Sequence, residues 1–342
     1  MSPSSVVGYA ARAAGSALEP FTYEAPALGD QDVRVSVTHC GVCYTDVHAI
    51  DDDYEVFSFP LLPGHEIVGN VSEVGRAVSG PKLGDRVGIG WQGRSCMRCE
   101  WCLQGEEQLC QDIAEAGTWT PYGGFSSSVV VDGRFAYPLP QAMPSEVAAV
   151  LMCAGISVYS PLRAYAAAVP ASTKVGIVGV GGLGHLAIQF ARALGCEVTA
   201  ISSSPGKEQE ARAFGADHFI AVGDTAAMER AEYGLDLLLC TTHCGIDWRP
   251  LLMTLKKNGR LVLLSFPRLA LGSVDLVSHQ LSITGSFIGN RKTMRDMLAF
   301  AQEHHILPRV ELMPMSQVNE AIRRVRENQA RYRIVLVNDM AV

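Results

Sequence analysis

The sequence has 342 residues, of which 48% are hydrophobic and 18% are charged. This length and composition predict a folded protein of about two domains and exclude an intrinsically disordered chain. The 28 Lys and Arg residues against 35 Asp and Glu residues give a formal charge of −7, which argues against nucleic acid as the main partner, because phosphate binding needs clustered cations.

The sequence shows no signal for membrane insertion or export. Its longest apolar runs, such as Leu235–Cys240, are much shorter than the ~18–20 residues of a membrane span. Residues 1–17 lack the basic region and apolar block of a secretory signal. We therefore expect a cytoplasmic protein.

The first ~150 residues alternate short β-rich runs with glycine and proline. The runs are DVRVSVTHC, EIVGNVSEVG, DRVGIGW and FSSSVVVDG. This pattern predicts a mainly β domain over residues 1–153.

Two segments of this domain carry a possible open metal site. CGVCYTDVH is followed about twenty residues later by PGHE, and a single Cys153 stands in LMCAG. Cysteine and histidine with an adjacent glutamate are ligands for a zinc that keeps one position open. The spacing alone does not choose between Cys40 and Cys43, and it does not join residues more than a hundred positions apart.

Four cysteines within residues 91–112 predict a second, closed metal site. They follow the pattern C-x2-C-x2-C-x7-C and are Cys96, Cys99, Cys102 and Cys110. Two-residue gaps let thiolates converge on one ion, which is typical of a structural zinc. Free thiols and an iron–sulfur cluster are the alternatives, and the polar surroundings favour zinc.

The pattern changes after about residue 147. SEVAAVLMCAGISVYSPLRAY has helical spacing, and the following segment predicts a strand, a glycine turn, a helix and a second strand. The further apolar strands ADHFIAV, LDLLLCTT, GRLVLLSF and LSITGSFIG predict a doubly wound parallel sheet over residues 154–294. Residues 295–342 supply two helices and a strand that return to the first domain.

The glycine turn has the dinucleotide-binding pattern G-x-G-x-x-G between a strand and a helix. Its residues are Gly179, Val180, Gly181, Gly182, Leu183 and Gly184. Gly179 permits the tight turn, Gly181 lets the backbone approach a diphosphate, and Gly184 allows the helix to pack closely on the strand.

The residues after the second strand indicate which dinucleotide binds. The stretch contains Ser202, Ser203 and Lys207 and has no acidic residue. Hydroxyl groups and a lysine would hold a 2′-phosphate, which a carboxylate would repel, so we predict NADP(H). A plain serine turn is the alternative, and it leaves the cofactor open.

Taken together, CGVCYTDVH, PGHEIVG, the four-cysteine lobe, LMCAGISVYSPL and VGVGGLGH resemble the medium-chain zinc alcohol dehydrogenases. The resemblance is closest to their cinnamyl alcohol dehydrogenase-like branch and covers nearly the whole chain in matching order. It implies a GroES-like catalytic domain joined to a Rossmann domain, two zinc ions per chain, a small alcohol or aldehyde substrate and a homodimer.

The resemblance also implies roles for individual residues. Cys43, His65 and Cys153 would bind the catalytic zinc, and Glu66 would approach the metal during ligand exchange. Asp46 would orient the ligand histidine. Thr45 would pass the alcohol proton onward, through the cofactor ribose, to His48.

Two features depart from the family pattern. Tyr44 stands where a basic residue usually helps to hold the cofactor diphosphate, and the loop over residues 113–122 is shorter than usual. We expect a hydrophobic aldehyde substrate, with a pocket wall drawn from aromatic candidates: Tyr54, Phe57, Trp91, Trp119 and Phe287. Cys196, Cys240 and Cys244 are predicted to be small core residues.

Two other functions remain open at this point. One is a zinc-free enone or quinone reductase of the same fold, which the presence of Cys43, His65 and Cys153 disfavours. The other is a zinc-lobe protein that binds nucleic acid, which the net charge of −7 disfavours.

Overall fold

The computed structural model describes residues 5–113, 122–166, 173–242 and 247–340. The chain forms two compact units. The first comprises Met1–Cys153, Gly289–Gln302 and Pro308–Val342, and the second comprises Ala154–Ile288 and Glu303–Leu307. The predicted boundary after residue 294 differs from this division, because Gly289–Gln302 groups with the first unit and Glu303–Leu307 groups with the second.

The first unit is built on strands. They are β1 Ser5–Ala11, β2 Leu18–Glu24, β3 Asp32–Val42, β4 Glu66–Val74, β5 Arg86–Ile89, β6 Ser128–Asp132 and β7 Tyr137–Pro138, with β14 Val310–Pro314 and β15 Arg333–Val337 from the C-terminal part. β1 and β2 form an antiparallel pair, and the main sheet has the order β14-β15-β3-β4-β5-β7 with β6 beside β3. The helices of this unit are α1 Tyr44–Asp51, α2 Glu100–Leu103, α3 Ser145–Val150, α10 Arg291–Glu303 and α11 Val318–Arg326.

β3 is the central strand for the site. It pairs antiparallel with β4, where Gly41 lies opposite Glu66, and with β15, where Val42 lies opposite Ile334. Its alternating side chains join a buried apolar cluster that includes Ile67 and Leu336. The register therefore brings the end of β3, the start of β4 and the start of β15 to one end of the sheet.

The second unit is a six-stranded parallel sheet with the order β10-β9-β8-β11-β12-β13. Its strands are β8 Lys174–Val178, β9 Glu197–Ser202, β10 His218–Ala221, β11 Leu235–Cys240, β12 Leu255–Leu263 and β13 Ser282–Gly285. Its helices are α4 Ile156–Pro161, α5 Gly184–Ala193, α6 Glu208–Ala213, α7 Thr225–Arg230, α8 Trp248–Met253 and α9 Ser273–His279. The order reverses between β8 and β11, so the predicted doubly wound sheet is confirmed.

The helical segment that follows residue 144 is less regular than its pattern predicts. Two π-helical turns, Leu151–Gly155 and Leu162–Ala166, follow α3 and α4. Ser145–Tyr165 is long and apolar enough to cross a membrane by length and composition alone. An 18-residue stretch within it has a mean hydropathy of 1.5, but 78% of that stretch is buried inside the protein. Such burial is typical of a core helix.

Candidate active site

The end of β3 leads directly into the first ligand of the candidate site. Cys43 caps the N-terminus of α1, and its backbone N–H donates to Asp46 Oδ2 at 2.9 Å. Asp46 Oδ1 accepts a second hydrogen bond from the backbone N–H of Gly64, also at 2.9 Å. The turn that carries the cysteine and the loop that carries the histidine are thus tied to one buried carboxylate.

Asp46 also fixes the orientation of His65. The carboxylate lies 3.0 Å from His65 Nδ1, and both side chains are fully buried. Because a carboxylate only accepts, Nδ1 carries the hydrogen and Nε2 is the nitrogen available to a metal. The Asp46 charge raises the pKa of His65 well above its usual range, against the opposing effect of burial.

Four side chains converge here from distant parts of the chain. Cys43, His65, Glu66 and Cys153 each offer a ligand atom, and all of these atoms lie within 4.8 Å of one another. Cys153 reaches the cluster from the π-helical turn Leu151–Gly155, and π-turns are frequent at functional sites. The structure thus selects Cys43 over Cys40, a choice that the spacing left open.

The donor set fits a zinc ion. Thiols, an imidazole and a carboxylate are all zinc ligands, and three protein ligands with an open fourth position are typical of a catalytic site. The hydrogen bond between the two thiols holds the pKa of Cys43 well below its usual range, whereas that of Cys153 is raised well above it. One of the pair is therefore prepared to act as a thiolate.

Arg333 is a member of this site that sequence reasoning missed. Its guanidinium pairs with Glu66 Oε1 inside the protein. Burial raises the pKa of Glu66 to about 7, against the opposing charge of Arg333. The signal that could have found it is a cation inside the apolar strand RIVLV, because a buried charge needs a partner.

The position of Glu66 also explains why the residue opposite it in the sheet is a glycine. A Cβ at Gly41 would lie 2.0 Å from Glu66 Oε2. The glycine therefore makes room for a carboxylate on the face where the ligands meet. Among the described residues, Glu66 Oε2 is buried without a hydrogen-bond partner.

The second cluster is the four-cysteine lobe. The sulfurs of Cys96, Cys99, Cys102 and Cys110 also lie within 4.8 Å of one another. Cys96 Sγ and Cys102 Sγ are 3.9 Å apart, and two Zn–S bonds of ~2.3 Å in a tetrahedral site place sulfurs about 3.8 Å apart. The lobe therefore fits one closed zinc site.

The lobe stabilises its sulfurs with backbone N–H groups. Cys96 N–H donates to Cys110 Sγ at 3.4 Å, and Cys99 N–H donates to Cys96 Sγ at 3.3 Å. A backbone hydrogen bond from Gln111 lowers the pKa of Cys99 to about 6, whereas burial raises that of Cys102 to about 12.

The predicted proton-transfer residues lie on α1. Thr45 Oγ1 is 3.4 Å from Cys43 Sγ, next to the ligand atoms. His48 lies one turn further on, and its Nδ1 is 2.5 Å from Asp53 Oδ2. The ring of Tyr44 packs edge-on against His48 at 4.8 Å, so this tyrosine also faces the proposed relay.

The candidate pocket residues separate into three groups. Phe57 and Trp91 pack against a small buried cluster with Ala49 and Leu61, next to α1. Tyr54 and Phe287 are about two-fifths exposed, at 38% and 40%. Trp119 and Cys244 lie outside the described residues, as does most of the short loop after the lobe. Cys196 and Cys240 are buried.

In the second unit, the glycine turn has the geometry of a phosphate-binding loop. Gly179 has a φ of 94°, a conformation that favours glycine. A Cβ at Gly184 would lie 1.8 Å from Gly179 O, whereas a Cβ at Gly181 would meet nothing within 4 Å. The helix thus packs directly on the turn, and the surface over Gly181 is open to a ligand, with Gly182 and Leu183 partly exposed beside it.

The residues predicted to determine which dinucleotide binds follow β9. Ser202 is buried, and its Oγ accepts from the backbone N–H of Ser204 at 3.1 Å. Ser203 is exposed, and Lys207 Nζ donates to Val180 O in the glycine turn at 2.7 Å. Lys207 therefore connects the end of β9 to the turn.

Comparisons with known proteins agree with this geometry. Residues 29–141 match the family model for the alcohol dehydrogenase GroES-like domain, and residues 182–303 match that for zinc-binding dehydrogenase. The chain is 41% identical to vomilenine reductase from Rauvolfia serpentina, over 98% of this chain and 95% of the relative.

Solved structures show the same similarity. A cinnamyl alcohol dehydrogenase from Sorghum bicolor aligns with a TM-score of 0.92 and 39% identity, over 98% of both chains. A cinnamyl alcohol dehydrogenase from Helicobacter pylori, complexed with NADP(H), aligns with a TM-score of 0.89 and 30% identity, also over 98% of both chains. The chain therefore belongs to the medium-chain zinc alcohol dehydrogenases, in the cinnamyl alcohol dehydrogenase-like branch, and is an alcohol–aldehyde oxidoreductase with a GroES-like and a Rossmann domain.

Proposed function

We propose that this dehydrogenase interconverts hydrophobic primary alcohols and aldehydes by hydride transfer with NADP(H). Catalysis would use a zinc ion held by Cys43, His65 and Cys153. The observation that carries the proposal is the buried convergence of these ligands with Glu66, within 4.8 Å of one another.

The protein residues have distinct tasks in this reaction. Cys43, His65 and Cys153 would hold a zinc ion that would supply a Lewis acid for the substrate oxygen, and NADPH would supply the hydride. Asp46 holds the Cys43 turn and His65 in the ligand geometry through its three hydrogen-bonded contacts. Thr45 Oγ1, beside Cys43 Sγ, is placed to exchange a proton with the substrate oxygen, and His48 with Asp53 would hold a proton one turn further along α1.

We assign a second, structural zinc to Cys96, Cys99, Cys102 and Cys110. The support is the 3.9 Å sulfur separation and the N–H donors around the thiols. All four tetrahedral positions are filled by cysteine, which leaves no position for substrate. Metal analysis is therefore expected to give two zinc ions per chain.

The reaction is tested by following NADPH oxidation with aliphatic, aromatic and terpenoid aldehydes, with and without a chelator. With cinnamaldehyde, we expect cinnamyl alcohol as the product. Formation of 3-phenylpropanal instead would indicate reduction of the C=C bond and favour the enone-reductase alternative. A salt-dependent mobility shift with DNA or RNA would revive the nucleic-acid alternative.

The preference for NADP(H) is proposed from the exposed Ser203 and from Lys207, in a segment without an acidic residue. Ser203→Asp should repel the 2′-phosphate and shift the ratio of kcat/KM values at least tenfold towards NADH. Thr225→Asp, at another exposed position of the same unit, is the matched control and should leave the ratio unchanged. Unaltered NADPH affinity in Ser203→Asp would show that the phosphate lies elsewhere.

We also propose that the enzyme is a cytoplasmic homodimer. The many free thiols needed as metal ligands suit a reducing compartment. Light scattering should give a mass about twice the 36.7 kDa of one chain, and a mass of one chain would contradict the dimer.

A further inference from the structure

The carbonyl groups of the glycine turn are held by side chains from three separate segments of the second unit, which are the residue after β11, the segment between β9 and α6, and α5. The single hydroxyl hydrogen of Thr241 is shared between Val178 O at 3.0 Å and Gly179 O at 2.9 Å. Lys207 Nζ donates to Val180 O at 2.7 Å, and His185 Nδ1 donates to Gly181 O at 3.0 Å. Four consecutive carbonyls, from the last residue of β8 to Gly181 in the turn, are thus tied to protein donors.

His185 makes the contact that lies nearest to the open side of the turn. It is fully buried in the first turn of α5, and its ring packs edge-on against Phe214 at 5.3 Å. Since a carbonyl only accepts, Nδ1 carries the hydrogen. The backbone N–H of His185 donates to the same oxygen at 3.1 Å, so one residue holds Gly181 O with two donors.

Holding this oxygen also fixes the N–H on the other side of the peptide plane. In a planar trans peptide the C=O of Gly181 and the N–H of Gly182 point in opposite directions. Because the oxygen is held towards α5, the N–H is directed away from it. The direction in which a Gly181 Cβ would point is empty to 4 Å, so an anion can approach the turn there.

We propose that His185 is a positioning residue for the cofactor diphosphate, acting through the Gly181–Gly182 peptide. Its imidazole sets the direction of a phosphate-binding N–H before the cofactor arrives, so that binding does not have to reorient the peptide. The proposal rests on the NADP(H) activity proposed above. It gives a buried histidine a task that packing alone would not require, since an apolar side chain could fill the same space against Phe214.

The test compares two variants and two ligands. His185→Leu removes the donor and keeps a bulky side chain, whereas His185→Asn keeps a donor at the δ position. Dissociation constants are measured by fluorescence or calorimetric titration for NADPH and for adenosine 2′-monophosphate, which has the 2′-phosphate but no diphosphate. The metal content and melting temperature of each variant establish that it is folded.

His185→Leu should weaken NADPH about tenfold and leave adenosine 2′-monophosphate within twofold of the unmodified enzyme. The KM for NADPH should rise by the same factor with kcat within twofold, and His185→Asn should remain within threefold throughout. Unchanged affinity for NADPH in His185→Leu would overturn the proposal. An equal loss of affinity for both ligands would also overturn it, because that result indicates a general loss of structure.

If His185→Leu does not fold, the NADPH affinities of His185→Asn and His185→Gln test the proposal instead. Glutamine places its amide one bond further out, so it should bind NADPH more weakly than the asparagine variant, and equal affinities would count against the proposal. A failure of the proposed NADP(H)-dependent function would give a different result, because the unmodified enzyme itself would not bind NADPH. The proposal for His185 would then be wrong as well.

Discussion

The four-cysteine lobe takes all its donors from residues 96–110, whereas Cys43 and Cys153 are 110 positions apart. The lobe donors are all thiols, two of them buried and two partly exposed, while the catalytic set is chemically mixed and all four of its members are buried. The lobe uses backbone N–H groups to stabilise its sulfurs, and the catalytic set uses the charged side chains Asp46 and Arg333.

This difference matches the demands that a structural and a catalytic zinc site place on a protein chain, which are the roles proposed for the two clusters. A closed site needs only a short loop with correctly spaced thiols. An open site needs ligands on separate elements, so that one side of the metal stays accessible, and it needs surrounding groups that hold those ligands in place.

The largest effect is expected from Cys43→Ala. Removing a ligand of the open site should lower kcat at least ~10³-fold and leave one zinc per chain, because the lobe keeps its own. Zinc analysis measures the metal content, and NADPH oxidation measures kcat. Cys40→Ala is the matched control, since Cys40 is also a buried thiol, three residues earlier, that does not belong to the cluster. Equal loss of activity in both variants would contradict the assignment.

An intermediate effect is expected from Asp46→Asn. An amide cannot serve the three donors that now point at the carboxylate, so catalytic zinc affinity should fall ~10–100-fold while the lobe is unaffected. The measurement is a competition titration with a zinc-binding dye. Asp51→Asn, on the same helix in an ion pair with Arg326, should match the unmodified enzyme. A normal affinity in Asp46→Asn would show that the ligands do not depend on this carboxylate.

The smallest effect on activity is expected from Cys99→Ser. Loss of the lobe zinc should lower the melting temperature by at least about 5 °C, since structural zinc contributes to folding free energy. Turnover per folded molecule at 25 °C should change by less than about threefold, because the lobe ligands fill every position of that site. Glu100→Gln, an exposed neighbour on α2, is the control. A loss of turnover as large as that of Cys43→Ala would contradict the assignment of the lobe as a structural site.

The same contrast explains how much could be predicted from the sequence. The lobe, the glycine turn and the doubly wound sheet are local patterns, so spacing and periodicity identify them. The catalytic set is non-local: the choice of Cys43 over Cys40 came from resemblance, and only the fold brings Cys153 to it.

Several contacts could not be predicted because they depend on strand register and side-chain direction. Arg333 meets Glu66 because β15 and β4 both flank β3. The π-helical turn that presents Cys153 has no signal in an apolar helical pattern. His185 lies in the helix that follows a familiar motif, yet its contact with Gly181 O follows only from the folded turn.

Turnover is proposed to depend on the metal held by Cys43, His65 and Cys153, and a chelator series can separate this site from the lobe. Zinc content and NADPH-dependent aldehyde reduction would be measured on the same samples, followed by zinc restoration. We expect activity to fall in proportion to the loss of one of the two zinc ions and to return when zinc is restored. Full turnover in protein from which that ion has been removed would show that the metal at Cys43, His65 and Cys153 is not needed for the reaction.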